Sequence, residues 1–365
     1  MGGLPDPEWY FEHVLVNAAP GTGRVAEPGP AAQWREWWDA RTGPTSGLTA
    51  LLHRQGFVAT TRQLAHANFS EQRRVTRLRR GEWFRAARGF ICPLDLRDAD
   101  PFLVARRQHA VRTAAAVLSV SDHAASGRSG AVLHGLPVFA LPARPEVTDD
   151  LQNGLGRRRA SHVYGASIDI EDVTSWFGVA VLGVSRVLVD LGRHDRRDAI
   201  MAADAALRER LVTRAEIDRS LDQAIGWPGV RQAREVLALA DPRAESPLES
   251  LARLVLHDDG FPPPDDLQRW FGHDRVDMVF DRQRLIIEID GLGKYATTTP
   301  ADEKRRERRL RRHGYRVERL TLGRHRRELA GHPTLAASSV RPAGLTHFRL
   351  PPAKRGLGAL AINVS

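Results

Sequence analysis

The stretch from Val276 to Asp290 leaves its backbone little choice. Apolar side chains stand at Val276, Met278 and Phe280, then at Leu285, Ile287 and Ile289, on either side of Arg282-Gln283. A period of two belongs to a pleated strand with one buried face, and two such runs across a two-residue turn make a hairpin. Phe280 then faces Leu285, Met278 faces Ile287 and Val276 faces Ile289, because a slip of one residue would turn the apolar set into water. The same register sets Asp277 across from Glu288, with Asp290 two residues further along that face.

Side chains directly across an antiparallel pair have Cβ atoms about 5 Å apart, so carboxylates there repel unless something neutralises them. A divalent cation, Mg²⁺ or Mn²⁺, answers that need, since Mg²⁺ is commonly held by one or two carboxylates together with water and a substrate phosphate. Such an ion polarises phosphate and supplies hydroxide, which is the chemistry of phosphodiester hydrolysis. The alternative is that Asp277 and Glu288 face water, paired with Arg275 or Arg284.

Upstream, Ser246-Pro-Leu-Glu249 has capping-box spacing, so Glu249 has a complete structural role available. Downstream, residues 301–327 hold twelve basic side chains and four acidic ones, a net +8. A basic helix over Glu303–His313, with Arg305 and Arg308 as phosphate contacts, is predicted beside the carboxylates. Tyr315–Leu320 reads as a further strand.

A second pattern lies near the N-terminus. Leu48, Leu51 and Leu52 share a helical face that stops at Gly56. Thr60 with Gln63 opens a helix to Ala67, and Asn68 supplies a turn. Ser70 caps a third helix to about Arg80, where Gly81 stops it and Val75 and Leu78 form its buried side. Arg73, Arg77 and Arg80 then fall on the opposite face, with Arg74 beside them. Two short strands, Trp83–Arg85 and Phe90–Cys92, pair across Ala86–Gly89 and carry Arg85 and Arg88. Arginine reaches guanine edges and phosphates through its bidentate fork, so helix, helix, arginine helix and hairpin together point to DNA. A merely solvated charged face is the competing reading.

A chain of 365 residues exceeds one ordinary core, and its formal charge of +10 favours a polyanionic partner. The single cysteine, Cys92, fits a reducing compartment. Asp6, Glu8 and Glu12 precede the first apolar stretch, unlike a signal peptide, and no apolar run is long enough to span a bilayer, so a cytoplasmic protein without membrane attachment is expected. The expected organisation is a partly ordered leader (1–44), a winged helix-turn-helix (45–98), a middle domain of mixed helices and strands without a catalytic constellation (99–240), a carboxylate-bearing domain (245–329), and a tail rich in Pro and Ala (330–365). In the middle domain, Arg186 and Asp190 read as an i,i+4 helix pair.

Two resemblances extend this. Thr60-Thr-Arg-Gln-Leu64, the Ser70–Gly81 helix and Arg85-Ala-Ala-Arg-Gly-Phe-Ile91 resemble the AbiEi-type antitoxins of type IV toxin-antitoxin systems. That likeness implies DNA binding by the winged helix and a cognate toxin, or another defence-system protein, as partner. Ser246-Pro-Leu-Glu249, Arg275-Val-Asp277, Ile287-Glu-Ile-Asp-Gly-Leu-Gly-Lys-Tyr295, Glu303-Lys-Arg-Arg306 and Gly314-Tyr-Arg-Val-Glu-Arg-Leu-Thr321 resemble the PD-(D/E)XK restriction-endonuclease-like superfamily, in its Vsr-like branch. It implies a mixed sheet flanked by helices, Mg²⁺ or Mn²⁺ as cofactor, Asp277 and Glu288 as ligands, and Glu249 as the remote acid. The pattern's lysine is replaced by Asp290, leaving Lys294 as a displaced substitute or Asp290 itself as a ligand. The fold class expected is therefore multidomain α+β or α/β. The functions weighed are a Mg²⁺-dependent DNA endonuclease in defence or repair and, alternatively, an antitoxin-like transcriptional regulator with an inactive nuclease-like domain.

Overall fold

The computed structural model describes residues 47–119, 123–149, 161–166, 168, 170–290, 300–322 and 362–364. The leader expected at 1–44 lies outside them. The chain is a mixed α/β protein with three sheets among the described residues, and it divides between Pro242 and Arg243 into two compact units. No helix of the described residues is long and apolar enough to cross a membrane.

The first unit opens with α1 (Gly47–His53), which turns Leu52 inward. Strand β1 (Ala59–Thr60) leads directly into α2 (Thr61–His66). The capping box forms as its spacing predicts: Thr60 Oγ1 accepts the Gln63 N–H at 3.1 Å and Gln63 Oε1 accepts the Thr60 N–H at 2.7 Å. Thr60→Ala removes one half of that exchange and is expected to lower stability by about 1 kcal/mol, read from the urea midpoint of unfolding. Asn68 makes the following turn with φ +63°. Ser70 then caps α3 (Glu71–Arg79), its Oγ accepting the Arg73 N–H at 3.3 Å, and Gly81 follows with φ +69°. Strands β2 (Phe84–Ala87) and β3 (Phe90–Cys92) pair antiparallel with an irregularity at Ala86, and β1 pairs with the other side of β3.

Two details correct the sequence reading. The first hairpin strand begins at Phe84 rather than Trp83, because Trp83 is drawn inward against Phe69 at 5.0 Å between rings. Val75 and Leu78 are half-buried, and no residue of α3 is fully buried, so this helix lies on its neighbours rather than sinking between them.

Helix α4 (Pro101–Leu118) follows, then β4 (His123–Ala125), α5 (Gly127–Leu133), β5 (Glu146–Asp149), β6 (His162–Gly165), β7 (Val173–Trp176) and β8 (Val179–Leu182). These strands form one sheet in the order β6-β5-β4-β8-β7, parallel between β5 and β6 and between β4 and β8. Four helices complete the unit: α6 (Val184–His194), α7 (Arg196–Arg208), α8 (Arg214–Gln223) and α9 (Val230–Ala238). The expected Arg186–Asp190 pair is present on α6 at 3.5 Å, and Arg186 also donates to Asp172 at 3.1 Å.

The hydrophobic core does not stop at residue 98. Leu52, Phe57, Trp83 and Ile91 share one buried cluster with Ala114, Val147, Trp176 and Val179. Phe57 lies edge-on to Trp176 at 5.5 Å, and a Cβ on Gly178, which has φ +77°, would stand 2.1 Å from the Arg54 carbonyl oxygen. The reason is size: three short helices and a small hairpin enclose too little volume to bury these side chains alone.

A charged cluster sits under the same sheet. Arg128 donates from Nε to Asp198 at 2.6 Å and from its backbone N–H to Glu146 at 2.7 Å. Asp198 also accepts the Phe139 amide at 2.5 Å. Burial pushes the Glu146 and Asp198 carboxyls above their ordinary range, against the pull of Arg128.

The second unit begins at Arg243. Helix α10 (Pro247–Asp258) precedes β9 (Asp266–Phe271), β10 (Asp274–Phe280) and β11 (Leu285–Asp290); α11 (Pro300–Arg312) then leads to β12 (Arg316–Leu322), and β13 (Ile362–Val364) lies within the Pro/Ala-rich tail. The sheet order is β13-β12-β11-β10-β9, with β11 and β12 parallel and the other pairs antiparallel. A parallel pair needs a crossover, which α11 supplies. The hairpin register is the expected one: Phe280 faces Leu285 and Met278 faces Ile287. Strand β9 was not anticipated; it joins β10 through Gly272, with φ +64°, and His273.

Candidate cation and nucleic-acid site

The carboxylates gather where β10 and β11 open. The β10–β11 register carried one step past Met278–Ile287 brings Asp277 opposite Glu288, and there the Asp277 side chain takes over from the backbone: its Oδ2 accepts the Ile289 N–H at 2.7 Å. On the other side of β10, the pairs Arg269–Val276 and Leu267–Met278 put Gln268 across from Asp277. Gln268 Nε2 donates to Glu249 Oε2 at 2.8 Å and lies 3.4 Å from Asp277 Oδ1.

Glu249 arrives from α10, where both of its readings are visible. Ser246 Oγ accepts the Glu249 N–H at 3.2 Å and donates to Glu249 Oε1 at 2.8 Å, so the residue caps its helix. Its other oxygen, Oε2, accepts the Glu245 N–H at 2.9 Å while turning to Gln268. Burial, and then the charge on Asp277, hold the Glu249 carboxyl above the ordinary range.

Glu288 is buried and is met by cations of the protein itself. Arg306 on α11 forms a close ion pair with its Oε1, and Arg319 on β12 lies 3.9 Å from its Oε2. Burial raises its carboxyl against the pull of Arg306. The alternative partners expected for this face go elsewhere: Arg275 pairs with Glu245, and Arg284 lies over the Tyr315 ring at 5.4 Å. Asp290 ends β11, but its side chain and the whole of Lys294 lie outside the described residues.

The structure thus brings Glu249 and Asp277 to one nitrogen and sets Glu288 beside them against arginine. Among the described residues, no three His, Cys, Asp or Glu side chains form a group that can hold a metal ion. Two hard carboxylate oxygens converging on a single donor nevertheless fit the donor chemistry of Mg²⁺ or Mn²⁺. Residues 249 and 277 would hold the ion, with Glu288 available once Arg306 leaves it.

On α11, Arg305 and Arg308 are exposed, as a phosphate-binding role needs, while Arg306 and Arg309 turn to the sheet. Arg309 makes a bidentate pair with Asp274 at 2.6 and 2.7 Å, which holds that carboxyl below the ordinary range. Gln268, Arg306 and Arg319 were missed from sequence. The signal for Arg306 was available, since it stands four residues before the buried Leu310 and so shares its helical face.

The N-terminal arginines differ in their partners. Arg77 donates to Glu82 at 2.9 Å and stacks over Trp83, and Arg74 donates to the Phe69 carbonyl at 2.7 Å. Arg80 stays largely exposed, with Glu82 at 3.8 Å. Arg73 on α3, with Arg85 and Arg88 on the hairpin, is exposed.

No family model matches the chain. It is 36% identical over 148 residues to two uncharacterized proteins of Mycobacterium tuberculosis, MT2308 and Rv2248, a match covering 38% of this chain and 54% of each relative, so the chain spans about half the length of the curated relatives it matches. Among solved structures, the RV2827C protein of Mycobacterium tuberculosis aligns over 55% of this chain and 76% of its own, with 18% identity and a TM-score of 0.32.

Proposed function

We propose that this protein is a DNA-binding, Mg²⁺-dependent endonuclease whose cleavage site lies at Asp277, Glu249 and Glu288. The observation that carries the reading is the convergence of Glu249 Oε2 and Asp277 Oδ1 on one point beside buried Glu288, under a helix whose outer face is arginine. The PD-(D/E)XK-like residue pattern over 246–321 supports it independently of that geometry. In hydrolysis, water adds to phosphorus, the bond to one bridging ester oxygen breaks, and the departing oxygen takes up a proton. A cation bound there would lower the cost of the negative charge that builds on phosphorus. In this reading Arg306, now on Glu288, exchanges that carboxylate for a substrate phosphate, and Arg305 and Arg308 hold the backbone on either side.

The winged-helix-like elements supply a second contact in this reading, through Arg73, Arg85 and Arg88. The test is incubation of supercoiled plasmid with the purified protein and Mg²⁺ or Mn²⁺. Nicking that EDTA abolishes is the expected result; retained DNA binding with no nicking in either ion overturns the nuclease and leaves the antitoxin-like regulator. That second reading is favoured by one observation, the arginines already seated on Glu288.

The two basic surfaces are separable by binding titrations against salt. Arg308→Ala is expected to weaken binding alike on all sequences and to reduce the slope of log K against log salt by about one. Arg73→Ala is expected to cost about 2 kcal/mol on the preferred sequence and little on others. Equal losses on every DNA from both variants would remove sequence reading from α3.

A further inference from the structure

Gln268 sits in the middle of β9 with φ +56°, in the left-handed region that a residue with a Cβ occupies only at a cost. It is not an inserted bulge. The pairing of β9 with β10 keeps one register on both sides of it, Arg269 with Val276 and Leu267 with Met278, so no residue has been added. Glycine would take this conformation freely. The chain instead places there a side chain whose amide nitrogen meets two carboxylates.

What the amide meets is specific. The protein fixes one oxygen of Asp277, Oδ2 by the Ile289 N–H, and meets both oxygens of Glu249, Oε1 by the Ser246 hydroxyl and Oε2 by the Glu245 N–H. Asp277 Oδ1 and Glu249 Oε2 are the two oxygens that face Gln268, and among the described residues it alone links the two acids. One neutral donor therefore spans two acids whose mutual repulsion would otherwise part them.

Resting on the cation-dependent reading above, we propose that Gln268 is a positioning residue of the cation site. Delivered by the left-handed backbone, its amide keeps the two carboxylates gathered on one nitrogen, so that a divalent ion displacing that amide meets a paired site rather than two parted acids. Outer-shell groups that orient ligands commonly change metal affinity by about 10- to 100-fold when removed.

The test uses the full chain and Mn²⁺ alone, with the free ion followed by its electron paramagnetic resonance signal and no DNA present. Q268G removes the amide and relieves the backbone; Q268L removes the amide and keeps the left-handed residue. Both are expected to bind Mn²⁺ about tenfold more weakly than the unaltered protein. In the absence of metal, Q268G is expected to melt no lower than the unaltered protein, and Q268L below it. A merely structural role predicts affinity that follows stability, with Q268G binding as well as the original. Equal or tighter binding by Q268G overturns the positioning role while leaving the nuclease reading intact. Failure of the unaltered protein to bind Mn²⁺ overturns both.

Discussion

Asp277→Asn is expected to reduce metal-dependent nicking by about a hundredfold or more while leaving stability within about 1 kcal/mol of the original. The separation follows from the two jobs of this carboxylate. Oδ2 accepts the Ile289 N–H and so holds β11 to β10 where the strands open, and Oδ1 faces Gln268 and Glu249. Asparagine keeps an oxygen for Ile289 but offers an NH₂ where an anionic ligand is required. Alanine loses both, leaving the Ile289 N–H without its acceptor at a cost of about 1–3 kcal/mol, so its lost activity would mix chemistry with folding. Nicking rates and melting temperatures of the two variants, measured side by side, separate these effects. An Asp277→Asn protein that nicks at the original rate would take the cation away from this carboxylate.

Arg128→Met is expected to destabilise the first unit by about 3 kcal/mol, toward the low end for breaking a buried ion pair because the guanidinium is partly exposed. Asp198 is almost fully buried, and the substitution leaves it with the Phe139 amide and the nearby charges of Asp195 and Glu146. Both carboxyls already lie above their ordinary range, and loss of the cation moves them higher. An acid with a raised folded-state pKa binds more protons folded than unfolded, so its unfavourable effect grows as pH rises from the ordinary carboxylate range through the raised value. The destabilisation is therefore expected to be smallest in acid and to grow as pH rises above the ordinary carboxylate range. Urea unfolding of both proteins across pH 4–8 checks it, and a difference independent of pH would assign Arg128 a packing role only.

The hairpin that carries Asp277 and Glu288 was legible because a period of two and a two-residue turn leave one register that buries Met278, Phe280, Leu285 and Ile287 together. The caps at Thr60, Ser70 and Ser246 were legible for a similar reason, since the donor and acceptor lie within one turn. Strand β9 was not. Of Asp266-Leu-Gln-Arg-Trp-Phe271 only Leu267 is buried, and Trp270 is 62% exposed, so this edge strand carries no clean alternation. Without β9, nothing placed Gln268 opposite Asp277, and a left-handed φ on glutamine has no signature in residue type. The pairing of Arg306 rather than Arg305 or Arg308 with Glu288 follows from the helical face that Leu310, four residues on, anchors to the sheet, a signal the residue spacing carries. The seam expected at residue 98 failed for a physical reason. Phe57 and Trp83 look sufficient for a small core, but their partners Trp176 and Val179 lie far along the chain, where no local pattern reaches them.

That shared core bears on how such a chain can be recombined. A break at residue 98 would strip Trp176 and Val179 from Phe57 and leave an arginine-bearing fragment with its apolar floor in water, a piece unfit for grafting onto another sequence. A break at Pro242–Arg243 leaves, among the described residues, two sheets on one side and one on the other, each side with its own buried residues. The separable pieces of this chain are accordingly two: the helix-and-hairpin surface goes with the mixed sheet whose core it shares, and the carboxylate sheet forms a unit of its own.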